Sequence, residues 1–315
     1  MNIPDITLNN HTSIPQVGLG TFLIPQTILT STLGKAISLG YRHFDTAWRY
    51  GNEKIIGDFV RNCGIDRKEL FITTKVNVDS LYWFGWYEGK HRIFNFRKKS
   101  IKSAIEESFR NLGLDYVDLF LVHYPWPHMV KMYKALEHFY HEGRIKAIGV
   151  CTCLPPHLDL LSKVSDVVPA VNQFEISPLN SQKALIRYCQ DRGIAVEAMS
   201  VFSHFRSNEP RLEIIEHPVL CEIGKKYNKP ATSVILRWLL QQNVIVIPKT
   251  WDYTHLKENI QLFDFSLSEA DMNLIDSLDK GKFLNYDPYK SLKHLPDPYG
   301  NWNGFNTAPD DSIKP

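Results

Sequence analysis

Four ionisable side chains close or follow short apolar runs, and together they have the chemistry to move a proton. Asp45 lies in His43-Phe-Asp-Thr-Ala47 and Tyr50 follows it; Lys75 ends Leu70-Phe-Ile-Thr-Thr-Lys75, and His123 ends Val117-Asp-Leu-Phe-Leu-Val-His123. An ammonium buried beside a phenol lowers the phenol's pKa, and a carboxylate holds that ammonium charged and in place. Asp45, Lys75 and Tyr50 would then form a tunable proton donor. A neutral His123 could hydrogen-bond a substrate oxygen and orient it between Tyr50 and a hydride source. Taken singly, each residue has a plainer explanation: a helix-capping Asp, a solvated Lys, a satisfied core His. Only the combination is chemically specific.

The elements that must position these residues are legible in the hydrophobic pattern. Eight brief apolar runs occur, at 17–21, 43–47, 70–75, 117–123, 147–150, 170–174, 195–199 and 244–248. Longer amphipathic stretches separate them, the pattern of parallel strands joined by crossover helices. Between Ser100 and Leu112, for example, Ile101, Ile105, Phe109 and Leu112 share one helical face. Gly40, Gly64, Gly113, Gly143 and Gly193 each follow such a stretch, as left-handed helix caps would. Eight strand-helix repeats without a linker predict one (β/α)8 TIM barrel domain spanning residues 1–315, preceded by a β-hairpin around Ile6 to Ile14. Two stretches exceed the minimal barrel and are expected as long loops on its catalytic face: the aromatic-rich 77–97 segment, with Tyr82, Trp83, Phe84, Trp86 and Tyr87, and an extended C-terminal tail from about Gly281. Aromatic residues there serve equally as a rim-packing flap or as substrate contacts.

In such barrels, polar groups at the C-terminal ends of strands converge on one mouth, which is where the four residues fall. With 36 basic against 34 acidic residues, the formal charge of +2 offers no electrostatic case for nucleic acid or a membrane surface as partner. The N-terminus lacks a secretory pattern, no run is long enough to span a bilayer, and five cysteines without a Cys-x-x-Cys pair suit a reducing, cytoplasmic setting. His138 and His141 lie three apart on an expected helix, but no third ligand completes a site, and no metal is predicted.

The motifs as a set resemble the aldo-keto reductase superfamily. The matching segments are Val17-Gly-Leu-Gly-Thr21, Gly40-Tyr-Arg-His-Phe-Asp-Thr-Ala47 with Tyr50 and Asn52-Glu53, Ile72-Thr-Thr-Lys75, Leu112 to Leu119 running on to His123-Tyr-Pro125, Val171-Asn-Gln173, and Ile247-Pro-Lys249 followed by Glu258-Asn259. The resemblance implies a catalytic tetrad of Asp45, Tyr50, Lys75 and His123, in which Tyr50 protonates a carbonyl oxygen as hydride arrives from a nicotinamide. Relatives that reduce steroid carbon-carbon double bonds tend to carry Glu at the position of His123, so this His points to carbonyl reduction.

The same resemblance assigns cofactor contacts. No Gly-x-Gly-x-x-Gly loop is present, so a Rossmann site is not expected. Lys249 and Thr250 match residues gripping an adenosine 2′-phosphate, and Glu258 and Asn259 match a pair holding adenine, which together imply NADPH, with NADH as the alternative. His255 stands where Arg is usual, removing a permanently charged, bidentate phosphate contact. The usual Gly-Val-Ser-Asn-Phe reads Gly149-Val-Cys-Thr-Cys153, placing Cys151 and Thr152 beside Gln173 and Asn172 at the nicotinamide carboxamide. Met199 occupies the position of the aromatic residue that stacks on the ring, offering a soft thioether contact instead; Gly20, Thr21 and Ser200 complete the implied cofactor set. Phe22, Trp48 and Tyr124 match substrate-pocket positions and suggest a small, apolar or aromatic carbonyl compound. The resemblance implies a monomer. A second reading stays open: the altered cofactor contacts would also suit an NADPH-binding regulatory or structural protein with little turnover, although the complete tetrad favours an enzyme.

Overall fold

The computed structural model describes residues 3–77, 86–87, 90–91, 100–125, 128–202, 209–284 and 287–289. An antiparallel hairpin, β1 (Asp5–Thr7) with β2 (Ser13–Pro15), pairs Ile6 with Ile14, where the sequence predicts it. A second short antiparallel ladder, β6 (Trp86–Tyr87) with β7 (Lys90–His91), falls within the 77–97 segment. Tyr82, Trp83 and Phe84 of the expected aromatic flap, and most of the C-terminal tail, lie outside the described residues.

Eight parallel strands form the barrel: β3 (Leu19–Gly20), β4 (His43–Asp45), β5 (Phe71–Val76), β8 (Val117–Val122), β9 (Ile145–Cys151), β10 (Val171–Glu175), β11 (Ala195–Met199) and β12 (Val244–Val246). They run side by side in chain order. Closure comes from a parallel bridge between Val17 and Val246, where Gly18 N–H donates to Val246 O and Val246 N–H to Gln16 O, both at 2.9 Å. All eight predicted runs are therefore strands. The first is shorter than its run, because on one side it is held by the isolated bridge at Val17 rather than a continuous ladder.

Helices α1 (Gln26–Leu39), α2 (Glu53–Asn62), α3 (Ile101–Leu112), α4 (Met129–His141), α5 (Pro155–Val164) and α6 (Lys183–Gln190) make the crossovers up to β11. Three more, α7 (Glu209–Ile215), α8 (Pro218–Tyr227) and α9 (Ala231–Leu240), separate β11 from β12, and α10 (Tyr253–Glu258) and α11 (Glu269–Asp276) follow. Helix α3 shows the local logic. Ser100 caps it by accepting from Ser103 N–H, Ile105, Phe109 and Leu112 are buried, and Gly113 ends it in the left-handed region. The other four predicted cap glycines also have positive φ. No helix among the described residues is long and apolar enough to cross a membrane.

Strand alternation splits the core in two. Phe44, Ile72, Phe120, Val122, Ile148, Phe174, Val196 and Val246 point outward and pack beneath the helices. Facing inward, Phe71, Leu119, Leu121, Ala147, Val171 and Ile245 join Leu8 and Ile14 of the hairpin segment in an apolar plug. Further along the strands the buried residues within the barrel are polar: His43, Asp45, Thr73, Lys75, Gln173 and Glu197. The apolar plug is thus the floor on which the polar residues stand.

Candidate active site

Asp45 and Lys75 meet because β4 and β5 pair with Asp45 opposite Thr73, leaving Lys75 two residues beyond on the same face. The Lys75 ammonium donates to both Asp45 carboxylate oxygens at 2.6 Å, to Thr46 O at 2.9 Å, and to Tyr50 Oη at 3.5 Å. Lys75 is fully buried. Its donors are thus directed by the protein, and the longest contact points to the phenol. Tyr50 arrives on a single 3₁₀ turn, Trp48–Tyr50, which ends at left-handed Gly51. The loop behind it is cross-braced: Thr46 Oγ1 donates to Asn52 Oδ1 at 2.5 Å, Asn52 Nδ2 to Thr21 O at 3.2 Å, and Thr21 Oγ1 to Asp45 O at 2.8 Å.

His123 follows β8, its backbone N–H held by Val76 O at 2.9 Å. Its ring stands edge-on to Tyr50 with centroids 5.9 Å apart and stacks on Tyr124 at 4.8 Å. Phe22 also packs against Tyr50, its ring tilted, with centroids 4.7 Å apart. Four residues spread over 79 positions in sequence are therefore one cluster.

Burial and charge set their protonation. Burial lowers the Lys75 ammonium, but the Asp45 charge outweighs it and holds Lys75 above its ordinary value. Burial pushes the Asp45 carboxyl up, and Lys75 opposes it. His123 is held well below its ordinary value by burial, then by the charges of Lys75 and Arg49, so the ring is neutral. For Tyr50 the sequence-based expectation needs a correction. Lys75 does pull the phenol down, yet burial pushes it up further, and Asp45 adds to that, so the net direction is upward. Tyr50 is a phenol that keeps its proton until an oxygen near it becomes basic. Such an array can donate a proton to a developing alkoxide.

The aldo/keto reductase family model matches residues 17–280. The chain belongs to this family. It is 40% identical over 295 residues to morphine 6-dehydrogenase of Pseudomonas putida, covering 90% of this chain and 94% of that one. Glyoxal reductase of Bacillus subtilis is 37% identical, covering 91% and 97%. The crystal structure of an aldo-keto reductase enzyme from a Medee basin deep-sea metagenome library superposes with a TM-score of 0.78 at 33% identity, covering 90% and 98%. The relatives are oxidoreductases, as the sequence resemblance implies.

In this aldo/keto reductase the remaining expected positions fall into two groups. Cys151 ends β9 with Thr152 after it, Met199 ends β11 with Ser200 after it, and Gln173 lies midway along β10. Gln173 Nε2 donates to Asp45 Oδ2 at 3.1 Å, and its Oε1 faces Cys151 Sγ at 3.8 Å. Cys151 is buried, which pushes its thiol up and leaves it unreactive. Thr152 adopts φ 56° and Ser200 φ 55°, both in the left-handed region. The buried Thr152 Oγ1 has no hydrogen-bond partner among the described residues, nor does His123 Nδ1. Asn172, by contrast, is pinned away from the cluster. It donates to Cys153 O at 2.8 Å and accepts from Cys153 N–H at 3.3 Å, holding the strand-end loop.

The second group follows β12. A Cβ on Gly20 would lie 2.7 Å from Ile247 O, so glycine alone lets this segment approach β3, and Lys249 stands beside it. Lys249 is exposed, with Nζ 5.1 Å from the Trp251 ring centre. Asp252 N–H donates to Thr250 Oγ1 at 3.1 Å, and the Asp252 carboxylate caps α10 by accepting from His255 N–H at 3.0 Å. His255 Nδ1 lies 3.9 Å from Asp252 Oδ1. Glu258 is half-buried and Asn259 buried at the end of α10. Trp48 is half-buried at the mouth. His138, weighed above as a ligand, is exposed and pairs with Glu142 at 3.0 Å.

Sequence reasoning missed Glu197 and His43. Both are fully buried inside the barrel beneath the cluster. The signal was present: Glu197 is the ionisable residue of an otherwise apolar Ala195-Val-Glu-Ala-Met199, and His43 opens the short run that carries Asp45.

Proposed function

We propose that this chain is an NADPH-dependent reductase that converts the carbonyl of a small, apolar or aromatic molecule into an alcohol, with Tyr50 as general acid. The carrying observation is the directed hydrogen-bond array from Asp45 through Lys75 to Tyr50. The orphaned Thr152 Oγ1, the Gln173 amide and the half-buried Met199 thioether suit the nicotinamide end of a dinucleotide, and Lys249, Thr250, Glu258 and Asn259 suit its adenosine end. That cofactor would supply the hydride. All other chemistry belongs to the chain.

The substrate carbonyl oxygen would sit between Tyr50 Oη and the neutral His123 ring, which orients it by a hydrogen bond. As negative charge builds on that oxygen, Tyr50 donates its proton, and Lys75 stabilises the phenolate left behind. Asp45 holds the ammonium in register and balances its charge, so that the buried lysine stays protonated. Phe22 packs on Tyr50 and Tyr124 on His123, and Trp48 opens the turn that carries Tyr50, an aromatic setting that favours an apolar substrate. With His255 in place of a permanent cation, preference for NADPH over NADH is modest. The five free cysteines suit a reducing, cytoplasmic compartment.

The test is NADPH oxidation followed by absorbance, with a panel of aromatic aldehydes, ketones and small dicarbonyls, run beside Tyr50→Phe and with NADH for comparison. Turnover by the native chain and none by Tyr50→Phe is the expected result. NADPH binding with no turnover of any carbonyl would overturn the enzyme reading and support the regulatory one.

A further inference from the structure

Beneath the cluster, the Glu197 carboxyl is fully buried and, among the described residues, forms no ion pair with a lysine or arginine. Its Oε1 accepts from Gln173 Nε2, the same nitrogen that donates to Asp45 Oδ2 at 3.1 Å. One amide group therefore spans two carboxyl groups. The Lys75 ammonium of the cluster is already committed to both Asp45 oxygens at 2.6 Å. Glu197 Oε2 has no hydrogen-bond partner among the described residues, and lies 3.8 Å from His43 Nε2, too far for a bond. That imidazole is engaged instead with Thr73 Oγ1 at 3.1 Å.

An ionised Glu197 would be a buried anion with a single donor, facing a second carboxylate across one side chain. A protonated Glu197 keeps the Gln173 bond through its carbonyl oxygen without the bare charge. We propose that Glu197 is a positioning residue for carbonyl reduction: as a neutral carboxyl it fixes Gln173 against Asp45, and losing its proton to solvent draws Lys75 away from Tyr50. This inference rests on the reductase reading above.

The groups facing Glu197 are Asp45 and His43 from β4, Lys75 from β5 and Cys151 from β9; Gln173 of β10 and Ile245 of β12 carry no charge. Burial first, then the Asp45 charge, push the Glu197 carboxyl up to about 8, while Gln173 and Lys75 oppose the shift. Burial and then Lys75 lower His43 to about 3, with a hydrogen bond to the Pro15 backbone opposing them, so it stays neutral and offers no compensating charge. The sign follows. Below about 8 the carboxyl is neutral and the array is set for proton donation. Above it, a second anion competes for Lys75 and weakens Tyr50 as an acid.

Two measurements test this, one of them independent of turnover. In the infrared difference spectrum of cofactor-free native protein against Glu197→Gln, a protonated carboxylic-acid carbonyl band is expected at neutral pH, fading as pH rises through about 8. Absence of that band at neutral pH would overturn the proposal. In the pH profile of kcat/KM for reduction, the native fall through that range should be missing in Glu197→Gln, which is fixed in the neutral form. An unchanged fall in that variant would equally overturn it. Glu197→Ala, which frees Gln173, should weaken NADPH binding about tenfold, with Glu197→Gln restoring it. If no carbonyl is reduced by any form, the reductase reading fails and the catalytic role with it, yet the band still decides the protonation state of Glu197 and the NADPH titration its hold on Gln173.

Discussion

Replacing Thr152 by glycine should stabilise the cofactor-free protein while weakening its hold on NADPH. Thr152 is β-branched and sits at φ 56°, a backbone state that costs such residues about 1–2 kcal/mol. Its buried hydroxyl has no partner among the described residues, adding about 1 kcal/mol of uncompensated desolvation. Glycine removes both terms. Against them stand about 0.5–1 kcal/mol for the greater backbone freedom of glycine when unfolded, and about 1 kcal/mol for the lost buried methyl. The net is a gain of about 1 kcal/mol, or about 2 °C in the midpoint of a calorimetric melt. The same hydroxyl is the group offered to the nicotinamide carboxamide in the proposed site. Its loss should weaken NADPH binding about fivefold to tenfold, measured by quenching of tryptophan fluorescence. Thr152→Ala separates the two effects, since it removes the hydroxyl but keeps a side chain in the left-handed region. It should lose as much affinity and gain less stability. A Thr152→Gly protein that melts at or below the native temperature would refute the strain argument, and one that binds NADPH unchanged would refute the contact.

Other outcomes can be read from the same geometry. Lys75→Met should abolish turnover and destabilise the chain by about 3–5 kcal/mol in denaturant titrations, because Asp45 becomes an unpaired buried anion. Adding Asp45→Asn to that variant should recover much of the stability and none of the activity. His255→Arg should tighten NADPH binding about tenfold while leaving NADH unchanged, and calorimetric titration should show the gain shrinking as salt is raised. Met199→Tyr should bind NADPH more tightly than the native chain if ring stacking is the missing contact; equal affinity would mean that the thioether covers the ring as well.

Which parts of this protein could be read without its structure follows from how far each signal reaches. The apolar runs at 43–47, 117–123 and 195–199 and the cap glycines such as Gly113 are local: short apolar runs, helical spacing and a left-handed turn are properties of a few consecutive residues. Asp45, Tyr50, Lys75 and His123 were also legible, because parallel strands in chain order bring their C-terminal ends to one mouth whatever the details of packing. What the chain pattern did not reveal depends on contacts across the barrel. The upward shift of the Tyr50 phenol needs the balance between burial and the Lys75 charge, which no spacing encodes. Asn172 and Gln173 are adjacent and similar, yet alternation along β10 turns one outward to Cys153 and the other inward to Asp45. Glu197 shows the division most plainly. In sequence it is one acidic residue among apolar neighbours, and only closure of the barrel sets it across a single amide from Asp45, where desolvation and a nearby like charge decide that it stays protonated.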